Sequence, residues 1–153
     1  MEELRILSPT AILGYGFPVQ SFEEGMRRNP HVIAVDAGST DPGPYYLGAG
    51  ISFTDRGAVK RDLEIILPAA IEKGIPVIIG SAGGSGGRPH LEWNIDIIKE
   101  IAEEKGLKFR MAVIYAEIDK EYISKKLSEG KVQPLYPSQK LTENELKETG
   151  RIV

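Results

Sequence analysis

The chain contains no cysteine among its 153 residues. This absence excludes disulfide bonds, cysteine nucleophiles and metal sites that need thiolate ligands. Histidine is scarce as well, and the chain has only His31 and His90 to supply the base of a hydrolase triad. Because a chain without disulfides suits a reducing compartment, we expect a cytoplasmic protein.

Long hydrophobic runs and clusters of one charge sign are also missing. No apolar run approaches the roughly 18 residues of a membrane-spanning helix. The first residues lack the basic and then apolar pattern of a signal peptide. Lysine and arginine are scattered among acidic residues, and the net charge is -3. We therefore expect neither a membrane nor a nucleic-acid partner.

Glycine, in contrast, is plentiful and concentrates between residues 80 and 87. This glycine loop follows an apolar run that ends at Ile79 and precedes an amphipathic segment that begins near Leu91. A strand that enters a helix through glycines presents backbone amides at the positive end of the helix dipole, which favours anions. The predicted anion-binding residues are Ser81, Gly83, Gly84, Ser85, Gly86, Gly87, Arg88 and His90.

Strand and helix patterns alternate four times along the chain. Strand-like segments lie at residues 4–7, 32–36, 76–79 and 108–115. Helical segments are predicted from Ser21 to about 28, from 54 or 55 to 73, from 91 to about 105, from about 119 to 128, and from Thr142 onwards. This alternation predicts an α/β fold with a parallel sheet of four or more strands and helices on both faces, a Rossmann-like three-layer arrangement.

The last predicted helix still continues at residue 153. We therefore expect residues 1–140 to form an α/β ligand-binding domain. Residues 141–153 are interpreted as the start of a further helix that leads into a C-terminal region outside this chain.

The unusual stretches fall at the carboxyl ends of the predicted strands, at residues 8–16, 36–50, 80–90 and 117–119. Ligands of parallel sheets bind at this edge. Asp36 and Glu117 stand directly at strand ends, and we assign them as the catalytic acid or base. The same edge supplies the other predicted ligand-binding residues, Ser39, Thr40, Asp41, Tyr45, Tyr46, Gly14 and Gly16.

Several of these residues have structural readings that we weigh against function. Asp41 fits the start of an Asp-Pro-Gly turn and Asp119 fits a helix cap, and for both we favour the structural role. Tyr45 and Tyr46 fit either a substrate cover or packing of their own loop. A carboxylate cluster could hold a divalent cation, but we assign no metal ligand and leave the cofactor open.

Two motif-based alternatives match less well. Gly14 and Gly16 followed by Asp36 resemble a dinucleotide fingerprint, yet Val19 occupies the place of the third glycine. The run around Ser85 satisfies the Gly-x-Ser-x-Gly pattern, but His90 follows too soon for a hydrolase triad. No Walker A sequence occurs.

Four stretches together resemble the acyclic terpene utilisation (AtuA-like) family. They are Arg5-Ile-Leu-Ser-Pro-Thr-Ala, Gly14-Tyr-Gly-Phe-Pro, Val35-Asp-Ala-Gly-Ser-Thr-Asp-Pro-Gly-Pro-Tyr-Tyr-Leu-Gly and Ile79-Gly-Ser-Ala-Gly-Gly-Ser-Gly-Gly. The likeness covers essentially the whole chain and is greatest for the branch often labelled methylaspartate ammonia-lyase or hydratase-like. Family members are about three times as long, so the resemblance implies an N-terminal domain.

The resemblance implies a cytosolic protein of acyclic terpene or branched carboxylic acid metabolism that often acts beside a small partner protein. It carries no catalytic residue over to this chain. The leading hypothesis is an enzyme domain that binds a small anionic metabolite, a carboxylate or an acyl thioester, for lyase or hydratase chemistry. A non-catalytic ligand-binding or assembly domain and an NAD(P)-dependent oxidoreductase remain as alternatives, and we expect an oligomer.

Overall fold

The computed structural model of the protein describes residues 3–39 and 43–153. Predicted ligand residues Thr40 and Asp41 lie outside the described residues. The chain forms two compact units, Met1–Tyr115 and Ala116–Val153. The first unit contains β1 (Ile6–Leu7), α1 (Val19–Arg27), β2 (Val32–Asp36), α2 (Tyr45–Ala49), α3 (Arg56–Lys73), β3 (Val77–Gly80), a 3-10 turn (Ala82–Gly84) and α4 (Arg88–Glu104).

The three strands form a parallel sheet in the order β1-β2-β3. Ile6 pairs with Val32, and Asp36 pairs with Gly80 at the carboxyl edge. The mixed α/β class with a parallel sheet is therefore confirmed. The prediction of four or more strands is not confirmed, because residues 108–115 form no ladder with the rest of the described chain.

One face of this sheet carries the hydrophobic core. Leu7, Ile33 and Val77 point to this face, where they pack with apolar side chains of α1, α3 and α4. On the opposite face Ile6 is 58% exposed and Ile78 is 57% exposed. The prediction of helices on both faces is likewise not confirmed, although parallel sheets are usually covered on both sides.

Local signals explain the long helix α3. Asp55 caps its start, since its carboxylate accepts the Ala58 N–H at 2.9 Å, and Gly74 ends it in the left-handed region at φ 67°. Pro68 lies inside α3, and the helix continues past it to Lys73. Val59, Leu63 and neighbouring apolar residues of one helix face are buried in the core.

Helix α1 starts earlier than its sequence predicts. The helix begins at Val19, with Pro18 before its first turn, so the start predicted at Ser21 is wrong. Pro18 has φ -66° and its carbonyl accepts the Phe22 N–H at 3.1 Å, which closes the first turn without a side-chain cap. Helix α4 also begins before its predicted start, at Arg88, with Pro89 in the first turn.

The second unit contains α5 (Lys120–Ser128) and α6 (Glu143–Glu148). Asp119 caps α5 by accepting the Glu121 N–H at 2.7 Å, which confirms its structural reading. Thr142 and Glu145 form a capping box, so α6 starts where the sequence predicts it. The prediction that this helix continues to residue 153 is wrong, because α6 ends at Glu148.

An ion-pair cluster joins α3 to α4 on the surface of the first unit. Arg56 and Lys60 of α3 donate to Glu100 of α4, and the Lys60 ammonium also lies 2.8 Å from Glu104 Oε1. Hydrogen bonds from Arg56 and then from Lys60 lower the pKa of Glu100 from 4.5 to about 2. The ionised form of Glu100 therefore stabilises the folded chain.

We expect Glu100→Gln to destabilise the chain at pH 7 and to match the wild type near pH 2. The folded-state pKa of Glu100 is depressed, so its contribution is complete above pH 4.5 and disappears as the pH falls to about 2. Urea unfolding of both proteins at several pH values measures the difference. Glu103→Gln, on an exposed position of the same helix, is the control. An equal difference between wild type and Glu100→Gln at both pH values would contradict this assignment.

Candidate functional site

The loops that follow the three strands meet at the carboxyl edge of the sheet. The Leu13 N–H, after β1, donates to the Asp36 carbonyl at 2.8 Å. The Ala37 N–H, after β2, donates to the Gly80 carbonyl at 2.9 Å. These backbone bonds hold the ends of neighbouring strands together, as expected for ligand loops of a parallel sheet.

The glycine loop turns back on itself through left-handed residues. Ser81 has φ 46°, and Gly83, Gly84 and Gly86 have φ values of 75°, 116° and 73°. A Cβ atom on Gly83 would lie 2.0 Å from the His90 carbonyl oxygen. Glycine is therefore required at position 83, because the loop packs directly on the first turn of α4.

The loop after β2 lies against the glycine loop. A Cβ atom on Gly38 would be 2.4 Å from Ser81 Cβ and 2.9 Å from the Gly84 carbonyl oxygen. The Asp36 Oδ1 atom accepts the Gly38 N–H at 2.9 Å, which turns the chain into this contact. The exposed Asp36 carboxylate thus stands beside the glycine loop, and partly buried Ser39 follows it.

No side chain in the described part of the chain caps the start of α4. Its first residue follows Gly87, a buried residue with extended backbone. The amides of Gly84, Ser85 and Gly86 bond to carbonyls within the glycine loop. The Ser85 hydroxyl is buried and has no hydrogen-bond partner among the described residues. A buried hydroxyl of this kind is unfavourable unless something else binds it.

His90 is buried and anchors α2. Its Nε2 lies 3.0 Å from the carbonyl oxygens of both Tyr46 and Ile51, so Nε2 carries the proton and donates to them. Its Nδ1 atom is buried without a partner in the described part of the chain. The structure therefore gives His90 a positioning role for the segment that carries the tyrosines.

The two predicted tyrosines differ in exposure. Tyr45 is 67% exposed, and its ring meets that of Tyr46 edge-on at 5.3 Å. The Tyr46 ring also contacts the Phe53 ring, with centroids 5.9 Å apart. A Cβ atom on Gly84 would lie 3.2 Å from Phe53 Cδ1, so this aromatic group is adjacent to the glycine loop. Tyr46 matches the packing interpretation, whereas the Tyr45 ring stands at the surface beside the loops.

Asp62 is the residue that sequence analysis missed at this edge. It is buried on α3, and its Oδ2 accepts the N–H of Gly14 at 2.8 Å and of Gly16 at 3.1 Å. The two glycine amides predicted to bind ligand thus already have an acceptor. Helical spacing could have identified Asp62, because it places this acid on the buried apolar face of α3 between Val59 and Ile66.

Arg88 lies at the first position of α4 and is exposed. Its Cζ lies 4.1 Å from the centroid of the Tyr115 ring, and its Nη1 is 3.6 Å from Glu92 Oε1. Glu117 belongs to the second unit, where Arg151 Nε lies 3.9 Å from its carboxylate.

An open cleft of about 770 Å³ lies elsewhere, along the outer edge of β1 and beside α1. Leu4, Ile6, Glu24 and Arg28 are among its lining residues. None of the predicted site residues that the structure describes lines this cleft. We favour the carboxyl edge as the functional site, because the glycine loop, Asp36 and the start of α4 meet there.

Within the described residues, no group of three or more histidine, aspartate or glutamate side chains is arranged to hold a metal ion. No described helix is long and apolar enough to cross a membrane. No protein-family model, curated protein or solved structure matches the chain.

Proposed function

We propose that this chain binds a small anionic metabolite, a carboxylate or an acyl thioester, at the junction of the glycine loop and α4. The observation that carries the proposal is the buried Ser85 hydroxyl, which has no partner among the described residues and lies next to a helix start at Gly87 that no described side chain caps. A helix start attracts anions through its unpaired amides and its dipole, and a hydroxyl donor beside it adds a directed hydrogen bond. Arg88 supplies a positive charge at the same end of α4.

Asp36 is the proposed base. Its carboxylate is exposed at the carboxyl edge, and the Gly38 N–H holds it next to the glycine loop. In lyase or hydratase chemistry, such a carboxylate removes the proton next to the carbonyl of the bound acid or thioester. The Ser85 hydroxyl, which has no partner among the described residues, would donate to the negative charge that develops on the carbonyl oxygen. Glu117 stays a second candidate for acid or base.

We also propose that the chain belongs with the AtuA-like proteins that it resembles, lies in the cytoplasm and acts beside a small protein partner. We further propose a sheet of at least four strands, in which residues 108–115 form the fourth strand and a further layer of helices covers the exposed face. We do not extend the proposal to dinucleotides, because the Gly14 and Gly16 amides donate to Asp62. A ligand-binding domain without catalysis is the alternative. In that case the bound molecule keeps the proton next to its carbonyl, whereas an enzyme domain would remove it.

Ligand binding is tested by titrating the ¹⁵N-labelled chain with acetyl-CoA and, separately, with succinate. We expect amide shifts at Gly83, Gly86 and Gly87, and a dissociation constant raised about tenfold by Ser85→Ala, the loss of one hydrogen bond to a charged ligand. Ser138→Ala, in an exposed loop, is the matched control. Equal affinity of the two variants, or shifts confined to other regions, would refute the site.

Catalysis is tested by proton exchange. Incubation with the bound acid or thioester in heavy water should place deuterium on the carbon next to its carbonyl, and Asp36→Asn should abolish this exchange while binding persists. Asparagine retains an acceptor for the Gly38 N–H, so the loop keeps its turn. Binding without exchange in the wild type would favour the non-catalytic alternative.

A further inference from the structure

Two polar side chains on the buried face of α4 have hydrogen-bonding atoms that the described chain leaves unpaired. His90 and Asn94 are each 1% exposed. The His90 Nδ1 and Asn94 Nδ2 atoms are buried, and neither has a hydrogen-bond partner among the described residues. Because most buried polar atoms in proteins are hydrogen-bonded, this pair indicates that another group binds there.

The two side chains lie one turn apart on the same face of α4. Asn94 follows His90 by four residues, and residues with this spacing have Cβ atoms about 5–6 Å apart. The Asn94 side chain leans toward His90, because helical side chains point back toward the N-terminus. A single small group can therefore contact both side chains.

The chemistry of the two atoms limits what this group can be. His90 Nε2 donates to the carbonyls of Tyr46 and Ile51, which leaves Nδ1 as the acceptor nitrogen of the imidazole. Asn94 Nδ2 is a donor. The bound group must therefore donate one hydrogen bond and accept another. A hydroxyl does both, whereas a carboxylate only accepts and an ammonium only donates.

We propose that His90 Nδ1 and Asn94 Nδ2 bind the hydroxyl group of the anionic ligand, and that this ligand is a 3-hydroxy acid or its thioester. This inference rests on the proposed function, which places the ligand at the start of α4. Carbon 3 follows from that function, because it adjoins the carbon whose proton Asp36 removes.

The dimensions of such a ligand suit the start of α4. His90 and Asn94 lie about 3 Å and 9 Å from Arg88 along the helix axis, and their side chains lean back toward Gly87. In a 3-hydroxy acid the hydroxyl oxygen is three bonds from the carboxyl carbon, a span of about 4 Å when extended. An anion at the helix start thus carries its hydroxyl into the first two turns.

Paired ligands test this hydroxyl site. The ¹⁵N-labelled chain is titrated with 3-hydroxybutyrate and with butyrate, and then with the CoA thioesters of both. We expect the hydroxylated member of a pair to bind about tenfold more tightly, the gain from its hydrogen bonds to the two side chains. Equal affinities, which an internal water molecule in this place would produce, would overturn the inference and leave the proposed function intact. Binding of none of the four would overturn both.

Asn94→Leu tests the donor. Leucine removes the amide and keeps a side chain of similar length, so we expect butyrate to bind as before and the preference for 3-hydroxybutyrate to fall to near equality. Asn144→Leu, at an exposed position of α6, is the matched control and should keep the tenfold preference. A preference that survives in Asn94→Leu would contradict the assignment.

The wild-type chain offers a second measurement that needs no substitution in the core. The ¹⁵N resonance of His90 Nδ1 should move upfield when 3-hydroxybutyrate binds, because an acceptor nitrogen gains a hydrogen bond. Butyrate should leave this resonance in place. The same shift with both acids, or no shift with either, would overturn the proposed hydroxyl contact.

Discussion

Gly83→Ala is expected to destabilise the chain by more than about 4 kcal/mol, a large share of the roughly 5–15 kcal/mol that stabilises a typical domain. A methyl group at this position would lie 2.0 Å from the His90 carbonyl oxygen and close to two further backbone atoms of that residue. The clash cannot be relieved by a rotamer change, because the obstacle is the backbone of α4. The left-handed angle of 75° adds about 1 kcal/mol of strain for alanine.

Gly106→Ala separates the steric clash with α4 from the strain of the left-handed backbone. Gly106 also has a left-handed angle, 63°, but a Cβ atom there would meet no described atom within 4 Å. We expect a cost of about 1 kcal/mol from strain alone. Urea unfolding, or soluble yield and circular dichroism where a variant does not fold, compares the pair. Similar losses for Gly83→Ala and Gly106→Ala would show that the glycine loop does not pack on α4.

Asp62→Ala is expected to cost about 3 kcal/mol. The buried carboxylate accepts two backbone N–H groups, from Gly14 and Gly16, and each hydrogen bond to a charged group contributes roughly 1.5 kcal/mol. Arg61 Nη2 also lies 2.8 Å from Asp62 Oδ1. This pair adds little, because the Arg61 side chain is exposed. Alanine would leave the loop after β1 without its attachment to α3.

Asp62→Asn and Glu72→Ala complete the comparison. Asparagine keeps one oxygen acceptor without the charge, so we expect a cost of about 1–2 kcal/mol. Glu72 is exposed on the same helix, and its removal should change stability by less than about 0.5 kcal/mol. Unfolding midpoints and hydrogen exchange at the Gly14 and Gly16 amides are the measurements. Protected amides in Asp62→Ala would contradict the assigned contact.

The long helices and Asp62 show what local sequence patterns can and cannot predict. Helical spacing placed α3 and α4, and the residues Asp55 and Gly74 marked the ends of α3, because caps act within a single turn. Asp62 escaped notice because its partners are 46 and 48 residues away in the sequence. A charged residue on an apolar helix face signals a buried partner, but it does not identify that partner.

The same distinction applies to the candidate site. Parallel strands end at one edge, so the pattern of strands was sufficient to bring Asp36 and the glycine loop together. The pattern did not show that His90 would donate to carbonyls of the α2 segment, or that the Ser85 hydroxyl would be buried without a partner. Both facts depend on how the loops pack.

The sequence by itself determined the α/β class, the strands β2 and β3, the positions of the long helices and the edge at which the unusual residues gather. These features follow from periodicity and caps, which are properties of neighbouring residues. Only the tertiary structure decided that the sheet has three paired strands and that residues 108–115 stand without a ladder. A strand requires the backbone of another segment as its partner, and no local pattern specifies which segment supplies it.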